Sequence, residues 1–241
     1  MKTLLVTRPI DTARDFAEEV MKDGFSAIIE PLLEIETTET DIPDLSKYTA
    51  LIFTSPRAIR IFSQLSNTRT HQIFTVGDQT ASIAYEHGFK HVSSANGNIG
   101  NLVSLIKKEH LPSRPLLYIK GRNTAGDLSI PLKKSGFIID PVLVYNARMT
   151  AKFSPSTLDL LKEQKIDFVS LFSVRTAKNF ATLVRKYGLE DHCTSMVAVC
   201  LSAHIAEEIK DFSFAKIVTT QHPSRAAILE LLRDNLRDDQ T

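Results

Sequence analysis

Short apolar runs alternate with segments of helical period along the whole chain. The first run, "TLLVT" (Thr3–Thr7), is apolar on both faces, as a buried parallel strand requires. The segment "RPIDTARDFAEEVMKDGF" follows. Thr12 and Asp15 resemble a capping box, Phe16, Val20 and Met21 share a helical face, and Gly24 fits a helix stop. "SAIIEPLLEIET" predicts a strand broken by Pro31 and then resumed, the pattern of an edge strand or a connector. Strand-then-helix units continue through "ALIFT", "QIFTV", "HVSS" and "PLLYIKG", with Pro131 expected to bend or divide the helix after the last of these. "IIDPVLVYNARM" is a further strand carrying a Pro. The helix "STLDLLKEQ" precedes "DFVSLFS", "SMVAVCL" and "AKIVTT", and "SRAAILELLRDNL" closes the pattern. Such repetition predicts an α/β fold with parallel sheets and right-handed crossovers.

The units repeat internally. "LIFTSPRAIRIF" matches "VSLFSVRTAKNF", "FTVGDQTASIA" matches "VAVCLSAHIAEEI", and "HVSS…NLVSLIKK" matches "KIVTT…AILELLRD". "LLYIKGR…LKKSGFIIDPVLVY" matches "LLVTRP…VMKDGFSAIIEPLLEI". In one copy the four blocks run in order. In the other the last block stands at the N-terminus and the first three at the C-terminus, so that copy is circularly permuted. Two similar domains are therefore expected, one continuous over residues 38–143 and one assembled from 1–35 plus 148–241. Linker segments at about 31–37 and 141–150 would join them as a two-stranded β hinge with a cleft between the lobes. Ligands of such sheets sit at the carboxyl ends of strands.

Composition narrows the chemistry. Of 241 residues 43% are hydrophobic and 24% charged, ordinary for a water-exposed globular chain. A formal net charge of +1 offers no bulk basic field for nucleic acid, so an anionic ligand must be held by local donors. No apolar run approaches the roughly 18 residues of a membrane span, and the N-terminus reads as a first strand and helix rather than a signal peptide. The two cysteines, Cys193 and Cys200, fit neither a redox pair nor a zinc knuckle, and suggest free thiols in a reducing, cytoplasmic setting. The seven histidines show no ligand spacing, so no metal is expected.

The candidate residues cluster at strand ends. Thr54-Ser55-Pro56-Arg57 reads as strand end, N-cap, Pro at the first helical position and helix. The same hydroxyl and guanidinium suit anion capture. Ser173 and Arg175 repeat the arrangement in the permuted copy. Gly77 would let a ligand approach the backbone, with Thr80 as a donor; the corresponding turn is Cys200-Leu201-Ser202. "IKGRNTAGDL" spaces Gly121 and Gly126 like a phosphate loop, but Asp127-Leu128 stands where Lys-Ser/Thr is needed, which excludes that motif. Lys120 and Arg122 are left as carboxylate binders, with Arg8 as their counterpart. Tyr145 could donate a proton to a leaving hydroxyl. Each also has a plain structural reading as a helix cap, a turn residue or a solvated charge.

Together "LLVTRP", "IFTSPRA", "VGDQTA", "GF…VLVY", "LFSVRTAKNF" and "QHPSRAAILELL" resemble the uroporphyrinogen-III synthase family in order and over essentially the whole chain. The resemblance implies two HemD-like, flavodoxin-like α/β domains on a two-strand linker. It implies an enzyme of heme biosynthesis that cyclises hydroxymethylbilane, expels its terminal hydroxyl as water and inverts the last pyrrole ring through a spirocyclic pyrrolenine. It implies no metal and no organic cofactor, a small-molecule substrate, a monomer, and at most transient contact with the preceding enzyme of the pathway. Tyr145 falls on the family's cleft tyrosine. Thr54, Ser55, Thr80, Lys120 and Arg122 fall on its cleft motifs in the continuous domain, and Ser173, Ser202 and Ser224 in the permuted one. Cys200-Leu201 replaces a Gly-Pro-like turn, and Val174-Arg175 a Ser-Pro context. The alternative is a non-catalytic, two-lobed ligand-binding or regulatory protein that keeps the fold.

Overall fold

A computed structural model describes residues 1–122 and 126–238. In chain order its elements are β1 (Thr3–Val6), α1 (Ile10–Lys22), β2 (Ser26–Ile29), β3 (Leu33–Thr37), β4 (Ala50–Phe53) and α2 (Pro56–Leu65). Next come β5 (Gln72–Thr75), α3 (Asp78–Glu86), β6 (Val92–Ser94), α4 (Ile99–Glu109), β7 (Leu116–Gly121), α5 (Ser129–Lys134) and β8 (Ile139–Met149). The chain ends with α6 (Pro155–Lys162), β9 (Phe168–Leu171), α7 (Val174–Tyr187), β10 (Val197–Cys200), α8 (Ala203–Ala206), β11 (Lys216–Thr219) and α9 (Arg225–Asp238). Two compact units form: Met1–Glu34 with the chain from Arg148 onward, and Ile35–Ala147.

The first unit holds a five-stranded sheet in the order β11-β10-β9-β1-β2, with every pair parallel. Read in its own chain order this is 2-1-3-4-5, the flavodoxin-like winding. In the second unit the order is β3-β8-β7-β4-β5-β6. Its five parallel strands, β8-β7-β4-β5-β6, repeat the first sheet block for block once the chain is permuted, as the order of the sequence repeats requires.

Period-two alternation explains how one apolar strand serves two core layers. All four residues of β4 are fully buried. Leu51 and Phe53 join α2 and α3 side chains such as Ile59, Phe62 and Ile83. Ala50 and Ile52 face the opposite layer with Leu102, Ile106 and Leu132. In the first unit β1 divides likewise, Leu5 toward the Phe180 and Val184 layer and Leu4 and Val6 toward Phe16 and Ile228. Burying each large aliphatic or aromatic side chain contributes about 1.5–3 kcal/mol.

Three local expectations change. Helix α1 begins at Ile10, capped by Pro9, so Thr12 lies inside the first turn and donates its hydroxyl back to the Pro9 carbonyl at 3.1 Å instead of forming a capping box. The buried stripe of α1 is Ala13, Phe16, Ala17 and Val20, with Met21 half exposed beside it. Pro131 neither bends nor divides a helix: α5 starts only at Ser129, and a proline in the first turn removes an N–H that has no intrahelical partner there. The stop at Gly24 is as expected. Gly24 adopts φ +90°, its N–H bonds to Met21, and the Phe25 N–H bonds to Val20, a Schellman closure.

β3 and β8 carry the chain between the units. Thr38 N–H donates to Val144 and Thr150 N–H to Leu32, pairs that advance along one segment as they retreat along the other, so the two run antiparallel. Pro141 lies beyond the end of β3, on a stretch of β8 whose outer edge that strand does not cover, which is where a strand accepts proline. At the root of these segments Asn179, buried on α7, donates to Leu32 O at 2.9 Å and to Thr150 O at 3.1 Å.

Candidate functional site

In each sheet the winding reverses direction between two neighbouring strands, and there the helices following them leave to opposite sides. In the second unit that switch point lies between β4 and β7. β4 ends at Phe53, and the extended backbone of Ser55 (φ −151°, ψ 144°) carries the chain into α2. Ser55 Oγ accepts the Ala58 N–H at 3.2 Å, and Pro56 occupies the first helical position, as the sequence predicts.

Two tyrosines hold the two hydroxyl residues. Thr54 Oγ1 lies 3.1 Å from Tyr118 Oη, and Ser55 Oγ lies 3.2 Å from Tyr145 Oη. A cation accompanies each ring: Lys120 Nζ is 5.1 Å from the Tyr118 centroid and the Arg57 guanidinium 5.8 Å from that of Tyr145. Tyr118 is fully buried and Tyr145 is 8% exposed, while Thr54, Ser55, Arg57 and Lys120 are half-buried. The strand end thus presents hydroxyls and positive charges on a floor of aromatic rings. Carboxylates and hydroxyls are the groups such a surface can bind.

The remaining candidates of this unit sit apart from that cluster or act through the main chain. Gly77 caps α3 on the neighbouring strand end in extended conformation, with nothing within 4 Å of the place a Cβ would occupy. Thr80 is 3% exposed, with its N–H donated to the Gly77 carbonyl, so it presents almost no surface to a ligand. α3 packs this first-turn residue inward. Arg122 has an exposed side chain, and its N–H donates to the Tyr145 carbonyl at 2.9 Å. Residues 123–125 of the "IKGRNTAGDL" stretch lie outside the described residues. Asp127 beyond them is held below the usual carboxylate range, first by the Ser129 N–H and then by the Ser129 hydroxyl and the charges of Lys120 and Lys133. A fixed negative charge there opposes phosphate, in keeping with the missing lysine of a phosphate loop.

In the first unit the switch point lies between β1 and β9. Thr7 is fully buried and donates to Ser170 O at 2.6 Å. The Arg8 guanidinium stacks 4.2 Å from the Phe172 centroid, with Nε 3.3 Å from Thr12 Oγ1. Ser173 caps α7 by accepting the Thr176 N–H at 3.1 Å, and Arg175 follows in the first turn, half-buried. Ser202 precedes α8 with no side-chain cap bond. Ser224 is exposed and accepts the Ala227 N–H at 3.1 Å, next to Arg225, whose Nη2 is 2.8 Å from Glu19. The permuted copy therefore repeats the Ser55 cap at Ser173, while its aromatic-backed arginine, Arg8, stands in the block that matches Arg122 rather than Arg57.

Cys193 and Cys200 are free and buried, and burial pushes both thiols up to about 12, so neither is a thiolate near neutral pH. Among the described residues no group of three or more His, Cys, Asp or Glu could hold a metal ion, and no helix is long and apolar enough to cross a membrane. Sequence reasoning missed Tyr118. Its signal was present: a tyrosine inside the aliphatic run "LLYIKG" must find a partner for its hydroxyl when buried.

Comparison with known proteins places this geometry. The sequence profile of the family described as Uroporphyrinogen-III synthase HemD matches residues 14–230. The uroporphyrinogen-III synthase of Chlorobaculum parvum is 28% identical over 203 residues, 79% of this chain and 82% of that protein. The crystal structure of uroporphyrinogen-III synthetase from Helicobacter pylori superposes with a TM-score of 0.65 at 18% identity, over 97% of this chain and 98% of that one. A mutant uroporphyrinogen III synthase of Thermus thermophilus gives 0.61 at 13% identity, over 99% and 100%. At such identities the two structures speak for the fold, and the family rests on the profile, whose match spans most of the chain. This chain belongs to the uroporphyrinogen-III synthase HemD family.

Proposed function

We propose that this protein is a uroporphyrinogen-III synthase of tetrapyrrole biosynthesis that closes hydroxymethylbilane to uroporphyrinogen III with inversion of the terminal ring. The profile match over residues 14–230 carries this reading. Loss of the terminal hydroxyl as water leaves an electrophilic azafulvene, and the bilane can also close unaided without inverting the ring. The protein's task is then to fold the chain so that the last ring is attacked through the rearranging path, a matter of orientation more than of strong acid or base.

In this reading Tyr145 protonates the departing hydroxyl. The Ser55 contact supports that role. Ser55 Oγ accepts the Ala58 N–H, so its own proton is available to the phenol oxygen 3.2 Å away, and the phenol proton is then free for the substrate. A chain of donors all pointing the same way from a helix N-terminus polarises cooperatively. Arg57, Lys120 and Arg122 bind substrate carboxylates, with Thr54 and the backbone at Gly77 as further donors and Thr80 contributing only if α3 shifts. Arg8, Ser173, Arg175, Ser202 and Ser224 supply the donors of the first unit. The enzyme acts as a cytoplasmic monomer.

The test is an isomer assay. The purified chain is incubated with hydroxymethylbilane, the products are oxidised, and the porphyrin isomers are separated. Type III product above the spontaneous background is expected. Type I alone, at the rate seen without protein, overturns the assignment and favours a binding protein that keeps the fold.

A further inference from the structure

Ser55 follows β4 and Tyr145 lies on β8, strands that are not neighbours: β7 lies between them in the sheet. Their hydroxyls meet only because the end of β7 is open. The residue there is Gly121, buried, and paired with Tyr145 just where the β7–β8 register shifts between Lys120 and Gly121. A Cβ on Gly121 would lie 2.4 Å from Tyr145 Cζ, 2.5 Å from Cε2 and 2.9 Å from Oη, and those are its three nearest heavy atoms. The backbone itself does not call for glycine here: the positive-φ glycines are Gly24, Gly88, Gly136 and Gly188, and Gly121 is not one of them.

We propose that Gly121 is a positioning residue: its missing side chain is the seat of the Tyr145 ring and holds the phenol within reach of Ser55. The bulge turns the ring over the β7 backbone, and the Arg122 N–H bond to the Tyr145 carbonyl pins the strand on which the ring is carried. The atoms that a methyl group at Gly121 would meet are the far end of a side chain, not backbone. The ring therefore yields, by about 1 Å to regain van der Waals distance, and a displacement of that size is enough to cost on the order of 10²-fold in rate when it misplaces a reacting group. The consequence for turnover rests on the role proposed for Tyr145; the seat itself does not.

The experiment separates the two. The protein is labelled with 3-fluorotyrosine, and the resonance missing from Tyr145→Phe identifies Tyr145 among the five tyrosines. In Gly121→Ala that resonance should move while the others stay. An unmoved Tyr145 signal overturns the inference whatever the activity. In parallel, Gly121→Ala should lower kcat by about 10²-fold with KM within about twofold. In the Tyr145→Phe background the same substitution should leave kcat within about twofold, because the group it displaces is already gone. A loss of the same size in both backgrounds overturns the inference, since Gly121 would then act on something other than the phenol. A shifted resonance with Tyr145→Phe fully active would keep the seat and refute the catalytic role instead. Should Gly121→Ala fold poorly, its Tm deficit should vanish when combined with Tyr145→Ala, which removes the ring; a deficit that persists there refutes the seat.

Discussion

Ser55 Oγ and Tyr145 Oη lie 3.2 Å apart although 90 residues separate them in sequence and a whole strand separates them in the sheet. The serine does two things at once. It caps α2 through Ala58 and it partners the phenol. Ser55→Ala should therefore lower stability by about 0.5–2 kcal/mol, the usual loss of an N-cap, and lower kcat as well. Thermal unfolding read beside turnover checks both; a stability loss with unchanged kcat would confine Ser55 to capping.

Tyr145→Phe removes the proton but keeps the ring in its seat. The Phe ring still packs in the layer with Leu117, Ile119 and Val144, so Tm should change little. In a coupled assay kcat should fall by about 10²-fold, the low end of what a positioned general acid supplies. An unchanged rate would remove the acid role.

Arg57→Ala and Arg122→Ala should raise KM by roughly tenfold each, the worth of one charge-assisted hydrogen bond, with a smaller effect on kcat. The increase should shrink as salt is added, because these groups are partly or fully open to solvent. A loss confined to kcat would instead mean that they act on the transition state alone.

Glu30 is a buried carboxylate at the end of β2. It accepts the Ser154 N–H at 3.0 Å and the hydroxyls of Ser154 and Thr157 at 2.5 Å each. Every partner is a donor, so Glu30→Gln turns an amide NH2 toward groups that cannot accept it without rearranging. A loss of about 1–3 kcal/mol is expected from the unsatisfied group. Urea unfolding checks it; a wild-type midpoint would show that the donors simply turn to water.

The buried thiols predict an alkaline limit. Both cysteines rise from 9.0 to about 12 in the fold, by burial first and, for Cys193, by the Glu190 charge as well. The unfolded chain therefore releases these protons at lower pH than the native one. Their contribution is intact below about pH 9 and is lost as pH climbs toward 12, at about 1.4 kcal/mol per pH unit for each thiol. Cys200→Ala should flatten the alkaline branch of stability against pH relative to wild type. Identical slopes would refute it. For the same reason a thiol reagent at pH 8 should modify the protein only at its unfolding rate.

Which strands exist, and in what order they were permuted, was legible in consecutive residues. "LLVTRP" and "LLYIKGR" both begin the switch-point strand of their sheet, and block matching alone placed them there. The Gly24 stop and the Ser55 and Ser173 caps were equally local, since a cap bonds within three residues of itself. Thr12 misled because Pro9 had already ended the extended segment and started the helix. The burial of Thr80 was not legible, because helix-face direction depends on what packs against the helix, and nothing in "VGDQTA" states that.

What the sequence determined by itself was the permuted α/β repeat and the strand-end location of its hydroxyls and cations. Periodicity, caps and block order are properties of neighbours along the chain, and they survive without any knowledge of packing. What only the tertiary structure decided was which side chains meet: Thr54 with Tyr118, Ser55 with Tyr145, and the Tyr145 ring with the empty place at Gly121. The two hydroxyl contacts bridge 64 and 90 residues of chain. They follow from strand order, register and one bulge, and a single residue's slip in any of these would turn the tyrosine to the other face of the sheet.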